Sequence, residues 1–267
     1  AMYNFSFQYH NLDYAYMAFD IKEDQVPAAL DAMRLFKMRG CNVTMPCKNK
    51  VAQCVDELSP AAKIIGAVNT IVNEDGKLVG HITDGIGFMA ALKDNNINAI
   101  GKKMTIVGAG GAATAIEIQA ALDGVGEIVI FNRKDEFWGR AVSTVEKINT
   151  RTSSHAILYD LADLDQLKKE MADSYIFVNA TGVGMKPLEG QSVVPDKSYF
   201  RPELIVVDVP YSPLETAMRS MAKEVGCKTM NGLGMMLFQG SAAFELWTGE
   251  PMPIEHMKEI LNIRYDD

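Results

Sequence analysis

Lys48 is the first residue of the chain whose type and setting could do chemistry. It closes residues 42–48, Asn-Val-Thr-Met-Pro-Cys-Lys, in which a short run at 41–45 predicts a strand. Pro46 is expected to end that strand and to turn the chain. A lysine ammonium carries a proton at neutral pH, so Lys48 can serve as a proton donor to a forming alkoxide. Taken alone, however, a lysine after a strand is more often a surface cation.

Gly-Ala-Gly-Gly-Ala-Ala, about sixty residues later, has the spacing of a dinucleotide cradle. Gly108, Gly110 and Ala113 fit G-x-G-x-x-A, between a buried-type strand at 104–107 and a helix of small residues. Such glycines allow a tight turn and a close approach of backbone to pyrophosphate, and the helix N-terminus offers free amides. We therefore expect NAD or NADP at Gly108, Ala109, Gly110, Gly111 and Ala112.

The end of the next predicted strand bears on the choice between NAD and NADP. It reads Asn132, Arg133, Lys134 and Asp135. The two cations can flank an adenosine 2′-phosphate, whereas Asp135 can accept bonds from a ribose 2′-hydroxyl and would repel that phosphate. The combination favours NAD, with NADP tolerated, although charged loops after strands are common without any ligand.

Three further polar residues are predicted at strand ends, in loops or on helices that follow them. Asn69 lies in Gly-Ala-Val-Asn-Thr, Asp84 in Thr-Asp-Gly, and Gln239 on a helix expected to begin near residue 235. Each has an ordinary explanation by itself, as a turn residue, a helix cap and an exposed helix residue respectively. Their significance depends on whether they occur as a set.

Composition excludes several classes of function. The 267 residues are 48% hydrophobic and carry a net charge of -8, which fits a globular protein with one large or two ordinary domains. There is no basic stripe for nucleic acid and no apolar run of ~18 residues for a membrane span. The four cysteines form no C-x-x-C pair and the four histidines are scattered, so we expect no metal site. No signal-peptide pattern opens the sequence, and we expect a cytoplasmic protein with reduced thiols.

Hydrophobic periodicity divides the chain into two α/β blocks joined by a helix at 85–95. The first block is expected to have strands at 12–21, 41–45, 70–72 and 77–81 and helices at 25–38 and 58–65. Gly40 is expected to end the helix at 25–38, and Ser59 with Pro60 to begin the helix at 58–65. The strands at 70–72 and 77–81 are expected to pair as a hairpin.

The second block alternates strands and helices, which argues for a parallel, doubly wound sheet. Its strands are expected at 104–107, 127–131, 175–179 and 204–208, with a first helix at 112–122 closed by Gly124. Helices at 235–247 and 254–261 are expected to return to the first block. We predict an α/β substrate domain at 1–85 and 236–267, and a Rossmann-type NAD(P) domain at 86–235.

The motifs, in their order, resemble the shikimate dehydrogenase family over nearly the whole chain. They are Asn-Val-Thr-x-Pro-x-Lys, Gly-Ala-Val-Asn-Thr, Thr-Asp-Gly, Gly-Ala-Gly-Gly-Ala, Asn-Arg and Asn-Gly-Leu-Gly-Met-(x)3-Gln. Residues 132–137 and 182–187 look closest to its quinate/shikimate branch, which is associated with NAD as well as NADP. The resemblance implies reversible reduction of 3-dehydroshikimate to shikimate in aromatic amino-acid biosynthesis, with 3-dehydroquinate and quinate as a second pair.

The resemblance also implies roles for individual residues. Lys48 and Asp84 would be the catalytic pair at the reacting oxygen, with Asp84 orienting the ammonium. The substrate would be held by Thr44, Asn69, Gln239 and Tyr211, the last near the substrate carboxylate and the nicotinamide. The cofactor would be framed further by Lys186, Val209 and Gly232. The expected partner is this small molecule, and a homodimer is left open.

The sequence departs from the family at its start. The family opens with a strand and a Ser-x-Ser loop that binds the substrate carboxylate, whereas this sequence starts at Ala-Met-Tyr-Asn, which resembles the segment just after that loop. Ser6 does not replace the serine pair. For residues 1–267 this puts the affinity for the carboxylate in question, and we expect the first sheet to lack an edge or a central strand.

Three alternatives remain at this level. One is another two-domain dehydrogenase, such as an amino-acid or methylene-tetrahydrofolate type, against which Lys48, Asn69 and Asp84 argue. Another is a regulator that senses shikimate or quinate without turnover, which would not require a proton donor. The third is a structural α/β protein whose glycine turn binds nothing.

Overall fold

The computed structural model describes residues 2–263, whose contacts group them into two compact units. Unit 1 comprises residues 2–87 and 237–263, and unit 2 comprises residues 88–236. The strands are β1 Gly40–Asn42, β2 Glu57–Leu58, β3 Thr70–Glu74, β4 Lys77–His81, β5 Lys103–Val107, β6 Glu127–Asn132, β7 His155–Asp160, β8 Ile176–Asn179, β9 Ile205–Asp208 and β10 Lys228–Met230. The α-helices are α1 Met2–Tyr9, α2 Val26–Leu35, α3 Lys48–Ala52, α4 Pro60–Ile65, α5 Asp84–Asp94, α6 Gly111–Leu122, α7 Trp138–Arg151, α8 Leu164–Asp173, α9 Ala217–Val225, α10 Leu233–Thr248 and α11 Ile254–Leu261. Within residues 2–263, no helix is both long and apolar enough to cross a bilayer.

Unit 1 is built on a four-stranded sheet in the order β1-β3-β4-β2. The hairpin β3–β4 is antiparallel, and its turn uses Asp75 and Gly76 at positive φ, as tight hairpin turns require. α4 begins as expected, because the Ser59 side chain accepts a hydrogen bond from Ala62 N–H and Pro60 fills its first turn. The predicted hairpin and this helix are confirmed.

The C-terminal helices supply much of the core of unit 1. Trp247 is 4% exposed and packs with Val72 and Ala243, and its indole N–H donates to the Ile71 carbonyl at 2.9 Å. Gly40 is required at this contact, because a Cβ there would lie 2.3 Å from the Ile71 carbonyl oxygen and still closer to the indole. This contact packs α10 directly against the sheet of unit 1.

Three predictions for unit 1 are wrong. The strand predicted at 41–45 is β1, which ends at Asn42, so Pro46 lies in the turn before α3 and does not end the strand. Residues 12–21 are not a strand, because the N–H and C=O of Tyr16 bond to the Asn4 side chain, at 2.6 and 3.2 Å, instead of to a neighbouring strand. The helix predicted at 25–38 ends earlier, because Lys37 adopts the left-handed conformation and Met38 N–H bonds back to the Met33 carbonyl. Gly40 therefore belongs to β1 and does not end α2.

Unit 2 is a six-stranded sheet in the order β10-β9-β8-β5-β6-β7, and every pairing is parallel. Its central strands β5, β6, β8 and β9 match the predicted ones, and β5 is almost wholly buried. The edge strands β7 and β10 were not predicted. The parallel doubly wound sheet of unit 2 and the smaller mixed sheet of unit 1 confirm the predicted α/β fold class.

Candidate active site

Lys48 and Asp84 form an ion pair in unit 1. Each is the first residue of its helix, α3 and α5 respectively, and Lys48 Nζ donates to Asp84 Oδ2 at 2.8 Å. The side chains are 22% and 9% exposed. A carboxylate at a helix N-terminus is stabilised by the helix dipole, so Asp84 is a fixed anion against which the ammonium is oriented.

Asn69 lies beside this pair with a fixed amide orientation. Its Oδ1 accepts from the Thr83 backbone N–H at 2.8 Å and from the Thr70 hydroxyl at 3.0 Å. A backbone N–H can only donate, which assigns the oxygen and the nitrogen of the amide. The Nδ2 of Asn69 then lies 3.0 Å from Thr83 Oγ1 and 3.4 Å from Gln239 Oε1. Asn69 consequently faces Gln239 as a hydrogen-bond donor.

A further layer of polar residues supports Asn69, and sequence reasoning missed it. Asn42 Nδ2 donates to Thr70 Oγ1 at 3.2 Å, and its Oδ1 accepts from the Tyr16 hydroxyl at 3.0 Å. Burial raises the pKa of Tyr16, which keeps the phenol protonated as a donor. The available signal was the position of Asn42 in the same segment as Lys48.

Thr44 and Tyr211 are both exposed. Thr44 is exposed in the turn before α3, where its carbonyl accepts from Cys47 N–H at 3.0 Å. Tyr211 belongs to unit 2, in the segment after β9, and is 45% exposed. Thr44 adjoins this group in the chain, since Val43 N–H donates to the Asn69 carbonyl at 2.8 Å. Lys48, Asn69, Asp84 and Gln239 are the predicted substrate residues whose side chains the structure brings together in unit 1.

The glycine turn of unit 2 has the shape a dinucleotide needs. Gly108 has φ of +124°, and a Cβ there would lie 2.9 Å from the Ala180 carbonyl oxygen. Gly110 is the N-cap of α6 and has no side chain to satisfy the first amides of the helix. A Cβ at Gly110 or Gly111 would meet nothing within 4 Å, so open space lies in front of those amides. A pyrophosphate fits this arrangement.

The charged residues after β6 are arranged around Asp135. Its Oδ1 accepts from Asn132 Nδ2 at 3.2 Å and from Phe137 N–H at 2.9 Å, while its Oδ2 lies 3.6 Å from Arg133 Nε. Lys134 Nζ lies 3.5 Å from Asp160 Oδ2. Each cation is thus already beside a carboxylate, which leaves less positive charge for an extra phosphate.

The remaining predicted cofactor residues lie at or beyond the carboxyl ends of β8, β9 and β10. Val209 follows β9 directly, and a Cβ on Gly232 would lie 1.8 Å from its carbonyl oxygen, so only glycine allows this approach. Both residues line a small apolar pocket with Phe88 and Met230. Lys186 is exposed in the segment after β8.

Comparisons with known proteins agree with this geometry. The family model for the shikimate dehydrogenase substrate-binding domain matches residues 1–71, and that for the shikimate 5'-dehydrogenase C-terminal domain matches residues 232–261. The shikimate dehydrogenase (NADP(+)) of Listeria innocua is 56% identical over 97% of this chain and 89% of its own length. The chain belongs to the shikimate dehydrogenase family. The family and the NAD(P)-dependent oxidoreductase class predicted from the sequence are confirmed.

Solved structures extend the likeness of this shikimate dehydrogenase family member. Shikimate 5-dehydrogenase from Listeria monocytogenes, solved with shikimate and NAD, is 56% identical, with a TM-score of 0.96 over 97% of this chain and 90% of that one. Quinate dehydrogenase from Corynebacterium glutamicum, solved with NAD, is 28% identical, with a TM-score of 0.86 over 98% and 93%.

Proposed function

We propose that the protein interconverts 3-dehydroshikimate and shikimate, with Lys48 and Asp84 handling the proton. The observation that carries the proposal is the ion pair of 2.8 Å between Lys48 and Asp84, with Asn69 and Gln239 beside it. Shikimate and NAD bound to the 56% identical Listeria protein support the same assignment.

The chain's own residues divide the work of ketone reduction. The nicotinamide, when bound, supplies the hydride. Lys48 donates a proton from its ammonium to the carbonyl oxygen as that oxygen gains negative charge. Asp84 keeps the ammonium pointed at that oxygen and accepts a hydrogen bond from a neighbouring substrate hydroxyl. In the oxidation direction the neutral Lys48 amine takes the hydroxyl proton back.

Hydrogen-bond polarity supports a polyhydroxylated substrate. Asn69 presents Nδ2, and Gln239 turns its Oε1 toward that nitrogen, which leaves the Gln239 amide N–H groups to donate outward. Lys48 is a donor as well, and Asp84 is the acceptor among these four side chains. Donors on Lys48 and Gln239 with an acceptor on Asp84 suit ring hydroxyls next to a carbonyl oxygen, since a hydroxyl can take either role.

We also propose that unit 1 binds the substrate and unit 2 the dinucleotide. The ion pair and Asn69 belong to unit 1, and the glycine turn and Asp135 belong to unit 2.

The paired cations after β6 support a preference for NAD with NADP accepted. A cytoplasmic location fits four free cysteines. A homodimer is the assembly to test by sedimentation equilibrium.

Four assay mixtures test the proposal. Shikimate and quinate are each supplied with NAD and with NADP, and reduced-cofactor absorbance is followed. We expect turnover with shikimate and both cofactors, faster with NAD, and a second activity with quinate. No absorbance change in any mixture, with dinucleotide binding intact by fluorescence, would instead support a sensor without turnover. Turnover of quinate alone would reassign the substrate.

A further inference from the structure

Two buried polar side chains lie side by side at the carboxyl ends of β8 and β9, and the reaction chemistry does not use them. Asn179 and Asp208 are partners in the sheet register and are 1% and 0% exposed. Asn179 Nδ2 donates to Asp208 Oδ1 at 2.7 Å. Burying a carboxylate is costly, so its presence here calls for a specific role.

Each member of the pair also holds the segment that follows one of the strands. Asn179 Oδ1 accepts from the Thr181 hydroxyl at 2.6 Å and from its N–H at 3.1 Å, and Nδ2 also donates to the Val183 carbonyl at 3.0 Å. Asp208 Oδ2 accepts from the Thr216 hydroxyl, and Thr216 caps α9. One carboxylate therefore ties residues 180–183 to residues 209–216.

Both segments adjoin the residues assigned to the cofactor. Ala180 and Thr181 lie directly against Gly108 of the glycine turn, and Val209 lies directly against Gly232. The segment 209–216 also carries Tyr211. A shift of either segment would move the walls of the dinucleotide site.

The charge of Asp208 suits this role. Burial raises the pKa of Asp208 to about 6, while the bonds from Thr216 and Asn179 and the charge of Arg219 oppose that rise. The carboxyl is consequently ionised at neutral pH and accepts on both oxygens. An asparagine amide would lose the charge, and it could keep both bonds only if the Thr216 hydroxyl turned from donor to acceptor.

We propose that Asp208 is a positioning residue for hydride transfer: through Asn179 and Thr216 it fixes residues 180–183 and 209–216 against the bound dinucleotide. The inference rests on the proposed assignment of unit 2 to the cofactor. Asp208 itself is 0% exposed, so it acts through the two segments.

Asp208→Asn tests the proposal by separating cofactor from substrate parameters. We expect kcat/KM for NAD to fall about tenfold to a hundredfold, the scale of small misplacements remote from the chemistry. KM for shikimate should change less, because Tyr211 is the one assigned substrate residue in the two segments. Asp163→Asn is the control, because Asp163 also caps a helix of unit 2, α8, through Gln166 N–H at 3.0 Å. It should leave both parameters unchanged.

A second pair of variants decides the matter if Asp208→Asn does not fold. Thr216→Val removes the hydroxyl that bonds Asp208, whereas Thr216→Ser retains it. We expect kcat/KM for NAD to fall in Thr216→Val and to be restored in Thr216→Ser. The proposal is overturned if folded Asp208→Asn or Thr216→Val has a lowered Tm but unchanged kinetic constants. It is also overturned if kcat/KM for NAD is as low in Thr216→Ser as in Thr216→Val. Failure of wild type to bind NAD would instead reject the cofactor assignment.

Discussion

Lys48 and Asp84 differ in exposure, and this difference explains why one is suited to donate a proton and the other to act as its counter-ion. Asp84 is the more buried of the two and is fixed at the start of α5, whereas Lys48 has a flexible side chain with more exposure. A proton donor must reach its acceptor as the reaction proceeds, while its counter-ion must stay in place. The less restrained member of the pair is therefore the one suited to donate.

Replacing Lys48 by Met should reduce turnover by about 10²–10⁴-fold, because the proton donor is lost while the length of the side chain is kept. Dinucleotide affinity should remain near wild type, since the glycine turn is in unit 2. Steady-state kinetics and NADH fluorescence titration measure the two effects. Lys50→Met, on the same helix α3, is the control and should turn over normally. Near-normal turnover in Lys48→Met would end the assignment.

Replacing Asp135 by Asn should shift cofactor preference toward NADP. The amide oxygen can still accept from Asn132 and from Phe137 N–H, so the loop is preserved, but a negative charge near the 2′-phosphate site is removed. A charge pair at about 4 Å is worth roughly 1–4 kcal/mol, so the NADP/NAD ratio of kcat/KM should rise about fivefold or more. Glu136→Gln removes the neighbouring exposed carboxylate, and an equal shift there would contradict a specific role for Asp135.

The sequence predicted the reactive side chains better than the polar residues that hydrogen-bond to them. Lys48, Asn69, Asp84 and Gln239 stand in motifs, and the structure groups them. Asn42 and Thr83 were not singled out, because a polar residue that only supports another leaves no signal of its own in spacing or charge. Their roles depend on contacts between distant segments, which a single sequence does not contain.

At the scale of elements, α6 carries a buried acid, Glu117, in a helix that is buried on nearly all of its faces. Both carboxyl oxygens of Glu117 are buried without a hydrogen-bond partner among the described residues, and Thr114 Oγ1 is in the same condition one turn earlier. Burial raises the pKa of Glu117 to about 8. The folded protein therefore holds this acid neutral at pH 7.

Stability should depend on the proton of Glu117. The folded pKa is raised above the unfolded value of 4.5, so the stabilising contribution is complete below pH 4.5 and is lost as pH rises through about 8. Glu117→Gln should remove a slope of about 1.4 kcal/mol per pH unit from the free energy of unfolding across that interval. Urea denaturation between pH 5 and 9 measures it. Glu146→Gln on α7 is the control, and parallel curves for Glu117→Gln and wild type would refute the expectation.

Secondary structure was predicted correctly from the sequence where a strand is strongly buried. It was predicted wrongly where strand formation depends on pairing with a neighbouring strand. The central strands of unit 2 are continuous apolar runs and were predicted, whereas the edge strands β7 and β10 are shorter or partly exposed. Residues 12–21 have strand-like composition, but a strand also needs a partner, and Asn4 takes the bonds of Tyr16. The composition of a segment shows its propensity for β structure, but it does not show whether another strand is present to pair with it.

At the scale of the whole molecule, unit 1 is assembled from both ends of the described chain. Residues 237–263 supply Gln239 to the candidate site and Trp247 to the core. The Arg39 guanidinium donates to the Trp247 carbonyl at 2.6 Å, which adds a polar tie between the two parts. Unit 2 is one uninterrupted stretch between them.

A chain that ends at Met236 should therefore lose shikimate binding and keep dinucleotide binding. Unit 1 would lack α11 and most of α10, whereas unit 2 would retain its six strands. Isothermal titration with shikimate and with NADH separates the two results. Trp247→Phe in the full chain keeps an aromatic ring and removes the bond to Ile71, and it should lower the Tm while shikimate still binds. Loss of NADH binding on truncation would contradict the assignment of the cofactor to unit 2.

The split composition of unit 1 has a consequence for how the protein is made. On the ribosome, residues 2–87 emerge before unit 2, but the helices that complete their core follow only after the whole of unit 2. At the usual 5–20 residues per second, the gap lasts roughly 7–30 s. Unit 2 can fold during this delay, while the apolar face that later receives Trp247 stays open to solvent or to a chaperone. Translation speed through unit 2 should accordingly influence the yield of active protein more than translation speed through the first 87 residues.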